Sequence, residues 1–334
     1  MTLPVGIDLD QYKTQAKDLL KEARAAKPEA LARLREHRRS DHIKLADAQL
    51  VIARENGFPS WTKFKEFILF RNAVKALDSG DLPRLEALLD DHPTLIRYRC
   101  RIGAWYEKGY FAGATLLYHI AGNPDRGPLP RNILDIARLL ISRDFDRKAA
   151  EYTIGLLLTS KRASEAGVAL PLVDLLVKAG AKFDLNAPDV LSMPLLNLAP
   201  ATAEALVQRG AKMDIRHAAG LGNIEVLKNM LAERIEPALL EEALAFACIR
   251  GQTEAAALLL HHGAKGDVLV TPGGQTPRTA LHEAANRGHL DIVKTLLANG
   301  ADASIVEPHW GGTPAGWAEH GGHPEAAAML RNFT

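Results

Sequence analysis

The chain has 334 residues, of which 47% are hydrophobic, 24% charged and only 6% aromatic, and its formal net charge of +1 supplies no global field to draw it to nucleic acid or an anionic membrane. Two cysteines, Cys100 and Cys248, are too few for a disulfide framework, and no apolar run approaches the ~20 residues of a bilayer span. The opening MTLPVGIDLDQYK lacks both the basic and the apolar region of a secretory signal, so a reduced, cytoplasmic protein is expected.

Tyr12, Ala16, Leu19, Leu20 and Ala23 keep helical spacing in a first helix. Pro28 suits the first turn of a second, and Leu31 and Leu34 continue its apolar face. A third is predicted over 44–55, stopped by Asn56-Gly57, and Ser60 caps a fourth that carries Trp61, Phe64, Phe67 and Ile68. Between the second and third, LREHRRSDHIK gathers Arg33, Arg35, His37, Arg38, Arg39, His42 and Lys44. Glu36 and Asp41 interrupt that run and no aromatic is interleaved for base stacking, so a solvated face is favoured over a nucleic-acid patch.

From Arg71 the pattern changes to paired short helices. RNAVKALDSGDLPRLEALLDDHP (71–93) is the first pair. In RYRCRIGAWYEKGYF, which follows, Arg97, Arg99 and Arg101 alternate with Tyr98, Trp105, Tyr106, Tyr110 and Phe111. An exposed binding finger and a loop packed on its neighbours both use such side chains. The second pair begins near Thr115 and resumes at Ile133 after the Pro/Gly-rich insertion 122–132. TIGLLLTS (153–160) and LPLVDLLVKAGAKFD (170–184) make the third, with KRASEAGVA as an extended loop. The fourth, MPLLNLAPATAEALVQRGAKMD, is short, and the inner helix of the fifth, near 216–221, follows without room for a hairpin, which predicts a notch. LLEEALAFACIRGQTEAAALLLHHGAKGD (239–267) is regular again.

The clearest unit is TALHEAANRGHLDIVKTLLANGADAS (279–304). Thr279 caps its first helix, Leu290, Val293, Leu296 and Leu297 form an apolar stripe on the second, and Gly300 supplies the left-handed cap. Thr279-Ala280-Leu281-His282, Ala284-Ala285, Gly288-His289, Ile292-Val293, Leu296-Leu297 and Asn299-Gly300-Ala301-Asp302 together resemble an ankyrin repeat. LADAQLVIARENGFPSW (45–61) looks like the leader that precedes the repeats in a group of bacterial ankyrin proteins. GGTPAGWAEHGGHPEAAAMLRNFT is a last unit, with Gly316 in place of the usual histidine.

The resemblance implies an all-α fold, an ankyrin-repeat α-solenoid in which residues 1–70 are a helical capping module and residues 71–334 an array of seven or eight units. It also implies a non-catalytic recognition module whose partner is another protein. A small-molecule binder, or an unrecognised enzyme using a pocket near units four and five, is the alternative, with nucleic acid disfavoured. His282 and His289 sit at consensus positions, where they serve helix starts and contacts between repeats. His320 and His323 beside Glu319 make only a metal half-site without a third ligand. No G-x-S-x-G, Walker-type, H-E-x-x-H or G-x-G-x-x-G motif occurs, and neither cofactor nor metal is expected. The position after the T-P-L-H tetrad, with those three and four residues on, should face the concave groove. Those positions are Phe246, Ile249 and Arg250 in the sixth unit, Glu283, Asn286 and Arg287 in the seventh, and Trp317 and His320 in the eighth, with His217 and Leu221 from the fifth. Phe246, Arg250, Glu283, Arg287, Trp317, His320 and His217 are therefore the expected binding residues, together with Trp105 and Tyr106 of the aromatic run.

Overall fold

The structure, a computed structural model, describes residues 8–37, 43–122, 127–274 and 276–333, without the side chains of His37, Ala104 and Trp105. Arg38, Arg39 and His42 of the basic run lie outside the described residues, as does the Trp105 side chain. Every regular element described is a helix. The only sheet-like pairings among the described residues are the isolated antiparallel bridges Cys100 to Ala114 and Val270 to Arg278. The chain divides into two compact units, one running to Leu156 with Leu172–Ala181 added, the other made of Leu157–Pro171 and the chain from Lys182 onward.

In the first unit, α1 (Leu9–Arg24), α2 (Pro28–His37) and α3 (Leu45–Glu55) pack on one another and on α4 (Trp61–Asp78). Asp8 caps α1 and Ser60 caps α4 by accepting from backbone N–H groups. Tyr12, Phe58, Phe64 and Phe67 meet as a buried ring cluster, with centroids 4.8 to 5.1 Å apart in successive pairs. Arg33 of the basic run makes a two-toothed ion pair with Glu55, both bonds 2.8 Å. No break falls at residue 70, because α4 carries straight on to Asp78 and then turns at Gly80 into α5 (Leu82–Asp91).

The aromatic run folds down rather than out. Around a short α6 (Ala104–Glu107) and α7 (Leu116–His119), Phe70 of α4 lies within 5.3 to 5.8 Å of the Tyr98, Tyr106 and His119 rings. Tyr106 and Phe111 are buried, and the Tyr106 hydroxyl and His119 Nε2 are 3.0 Å apart. Of the two readings of this stretch, packing is the one these side chains adopt, and Tyr110 is left exposed. Next come α8 (Ile133–Ile141) and α9 (Arg147–Leu158). Helix α9 starts six positions ahead of the expected Thr153 because Asp146 accepts from the Lys148 and Ala149 amides at its first turn. The loop predicted around KRASEAGVA holds a further short helix, α10 (Lys161–Glu165), capped by Ser160, before α11 (Ala169–Lys178).

The second unit continues through α12 (Ser192–Leu196), α13 (Pro200–Gln208), α14 (Ile215–Leu221) and α15 (Ile224–Leu231). It ends with α16 (Pro237–Arg250), α17 (Thr253–His261), α18 (Ala280–Asn286), α19 (Leu290–Ala298), α20 (Pro314–His320) and α21 (Pro324–Arg331). Inner helices stack α14 on α16, α16 on α18 and α18 on α20, while α15, α17, α19 and α21 stack behind them. That is solenoid packing, each pair burying an aliphatic stripe against its neighbour. Leu227, Leu244, Leu259, Leu281, Leu296 and Leu330 belong to a continuous core cluster that runs from Ile215 to Leu330. The expected missing hairpin is visible between Gln208 and Ile215, whereas long hairpins separate α17 from α18 and α19 from α20.

Candidate functional site

Thr279 and His282 build the frame. The Thr279 side chain accepts from the His282 amide, and the hydroxyl lies 2.7 Å from His282 Nδ1. His282 Nε2 is 3.1 Å from the Gly312 carbonyl in the next hairpin, which fits a ring that donates from Nε2 and accepts at Nδ1. Gly312 closes a tight loop around Glu307, a fully buried carboxylate that accepts from the amides of His309, Trp310 and Gly312 at 2.8, 2.8 and 3.1 Å. Burial pushes the Glu307 carboxyl up, but these backbone donors outweigh it and hold it below the usual range. The loop so fixed presents Trp310 at 71% exposure.

Beside it, Thr313 caps α20, and the first turn carries Gly316 and then Trp317. Trp310, Gly312, Gly316, Trp317 and His320 line an open groove of about 430 Å³. With glycine where the preceding repeat has His282, the groove keeps a low floor; a Cβ at Gly316 would meet nothing closer than 3.7 Å. Trp317 and His320 are 5.7 Å apart, ring edge to face.

Next to the groove is a run of charge. The Val270–Arg278 bridge fixes the backbone of Arg278, whose guanidinium lies 4.8 Å from the centre of Trp317. Arg278 Nε is also 3.2 Å from Glu283, and Arg287 reaches the other Glu283 oxygen at 3.7 Å. Glu283 is fully buried in α18, and neither of its oxygens finds a hydrogen bond of good geometry. Burial raises its pKa against the pull of both arginines. Burial lowers that of Arg250, with the Arg287 charge adding to it. The Nε atoms of Arg250 and Arg287 and the Trp317 indole N–H are buried without a hydrogen-bond partner. A buried donor left unmatched costs roughly 1–3 kcal/mol.

Five of the expected residues, Arg250, Glu283, Arg287, Trp317 and His320, thus fall along one track across α16, α18 and α20. Phe246 does not present itself: it is fully buried, perpendicular to His217 at 6.1 Å and against Gly220. Ile249 is buried as well, so the sixth unit shows the groove only Arg250. His217 is likewise internal, closing a cap on Asp214, and Tyr106 lies in the other unit's core. Two members of the track, Arg278 and Trp310, were not foreseen. The signal for Trp310 was an indole set in the turn-forming string EPHWGG, where it has little to pack against.

Two other arrangements invite chemistry. Ser192 Oγ is 2.9 Å from His217 Nε2, and His217 Nδ1 is 2.9 Å from Asp214. That is the order of a nucleophile, base and orienting acid, yet Ser192 and His217 are buried and no substrate carbonyl can approach. It acts as a polar clasp between α12 and α14. A cavity of about 330 Å³ lies near the fourth unit, between α10 and α13, and is walled chiefly by alanine, proline and threonine with Gln208 and Arg209 at its edge. No group of three or more metal-ligating side chains occurs among the described residues.

Desolvation of buried His282 and half-buried His289 is the first cause that lowers both from the ordinary imidazole value of 6.5. Unfolded, they take up protons near 6.5, so each contributes stability above that pH that drains away as the pH falls through the folded value. NMR titration should find the midpoints of both rings below that of a free imidazole. Midpoints at or above the ordinary value would contradict this burial.

No described helix is long and apolar enough to cross a membrane. The family model for ankyrin repeats matches in three copies, over residues 215–307 and 271–333.

Proposed function

We propose that this chain, an ankyrin repeat protein over residues 215–333, is a non-catalytic recognition module whose inner-helix face, from Arg250 through Glu283, Arg287 and Arg278 to Trp317, His320 and Trp310, docks a partner protein. Ankyrin repeats are in general protein-interaction modules, and tryptophan and arginine are the residue types that most often dominate interface energy. The observation that carries the reading is the coincidence, on one face, of an exposed indole, a glycine-floored groove and buried donors without acceptors. The helices up to residue 70 serve as the N-terminal cap of the array. A reducing, bacterial cytoplasm suits the two buried free thiols.

Affinity capture from native cells with the full chain and with a Trp317→Ala/Arg250→Ala variant tests this. The double variant should lose at least about tenfold of the captured partner, the scale of one hot-spot side chain, with its helical circular dichroism and melting temperature nearly unchanged. Equal capture would place the interface elsewhere. Loss of fold together with binding would show the two side chains to be core.

A further inference from the structure

The track has two chemically different ends. At one end, the half-buried Arg250 and Arg287 carry Nε–H groups without a hydrogen-bond partner. The carboxylate beside Arg287 is Glu283, which it shares with Arg278, and the acid acting on Arg250 is Glu204 through space at the exposed edge of α13. One more carboxylate set between Arg250 and Arg287 would accept both free donors in charge-assisted bonds. At the other end the Trp310–Trp317 groove is walled by two indoles over glycine, a shape for a flat or branched apolar side chain. Resting on the reading above, we propose that the partner is bound through an extended peptide segment in which an aspartate or glutamate, held by Arg250 and Arg287, lies a few residues from an aromatic or large aliphatic side chain seated between Trp310 and Trp317.

Length favours a peptide over a free aromatic acid. The track crosses three stacked inner helices, and packed helices lie 8–10 Å apart, so its ends are about 16–20 Å from each other. Extended chain advances about 3.3 Å per residue, which makes the span that of five or six residues. A single-stranded nucleic acid would also combine anions with stacking faces. Its phosphates repeat at every nucleotide, however, and several would have to pass the buried Glu283 carboxylate, whereas the unmatched donor at the groove end is the uncharged indole N–H of Trp317.

A random library of peptides of about eight residues, displayed on phage and selected on the immobilised full chain, tests the proposal. Tryptophan fluorescence titrations of the enriched peptides follow. Enriched sequences should place an acid within about four residues of Phe, Trp or Leu, since four extended residues cover about 13 Å. Their affinity should drop at least about tenfold in Arg250→Gln/Arg287→Gln, and also in Gly316→Leu, which fills the groove. Peptides that need Trp317 but show no acid preference, or that ignore the arginine substitutions, would overturn the acidic class and leave the docking face standing. So would an oligothymidylate or phenylpropionate that competes at equal or higher affinity. No enrichment at all, with capture of the cellular partner still lost in the Trp317→Ala/Arg250→Ala variant, would overturn the linear segment in favour of a folded epitope. Capture indifferent to that variant would remove the docking face itself.

Discussion

Phe70→Ala should cost about 3–5 kcal/mol of unfolding free energy, the range for emptying a buried phenylalanine site. Phe70 is fully buried at the point where the N-terminal helices meet the aromatic run, and Tyr98, Tyr106 and His119 all turn their rings toward it. None of those three can follow the lost ring inward without giving up its own position, because Cys100 and Ala114 clamp the run at both ends. The Tyr98 hydroxyl, its pKa already raised by burial, and His119, hydrogen-bonded to the Thr115 carbonyl, are equally committed. A chain beginning at Arg71 should fare worse, since it also loses the first half of α4 and the ring cluster of Tyr12, Phe58, Phe64 and Phe67. Chemical denaturation followed by circular dichroism measures the first, and thermal melting with a solubility assay the second. Melting of the shortened chain at the full-length temperature would remove the capping role of residues up to 70.

Gly321→Ala should destabilise the last unit by about 1–3 kcal/mol or more, the cost of overpacking a filled site. The reason is not conformational. Gly321 has φ −72° and ψ −8°, which any residue adopts. The Cβ of an alanine there would collide with the backbone carbonyl of Asn286, the last residue of α18, and a backbone atom cannot rotate aside. Gly316→Ala, a few residues earlier in α20, should act in the opposite direction. Its Cβ has room, and replacing glycine inside a helix gains about 0.5–1 kcal/mol. Melting temperatures of the two variants, taken side by side, decide the matter. If both move the same way, propensity rather than the α18–α20 approach governs the position.

Much of this was legible in the sequence for a physical reason. Caps and breakers are local, so Ser60, Thr279 and the glycines at helix ends declare themselves. The aliphatic stripes of the sixth and seventh units have the helical period, and the core follows. The N-terminal boundary was harder to read, because repeat register suggested Arg71 while nothing between Trp61 and Asp78 could stop a helix. The aromatic run was ambiguous because its packing partner, Phe70, lies outside it.

The candidate site shows a subtler limit. Phe246, Glu283 and Trp317 occupy the same place in successive units, five residues ahead of Gly251, Gly288 and Gly322. One is core, one a buried charge and one a groove wall. Which of these a position becomes depends on how far the neighbouring unit and its hairpin cover it, and that bulk is not encoded at the position itself. Arg278 shows the same dependence, since its cation–π contact exists only because the next unit brings Trp317 beneath it.

Helix α4 has a mechanical meaning as well. Its first half is bolted to α3 and its second half to α5 and α7, with no hinge glycine or proline between. A pull applied at the N-terminal helices is therefore carried along a single rod into the first repeat, and the two can separate only if that rod snaps mid-span. Under load they should yield in one rip, with the contour length of both released together.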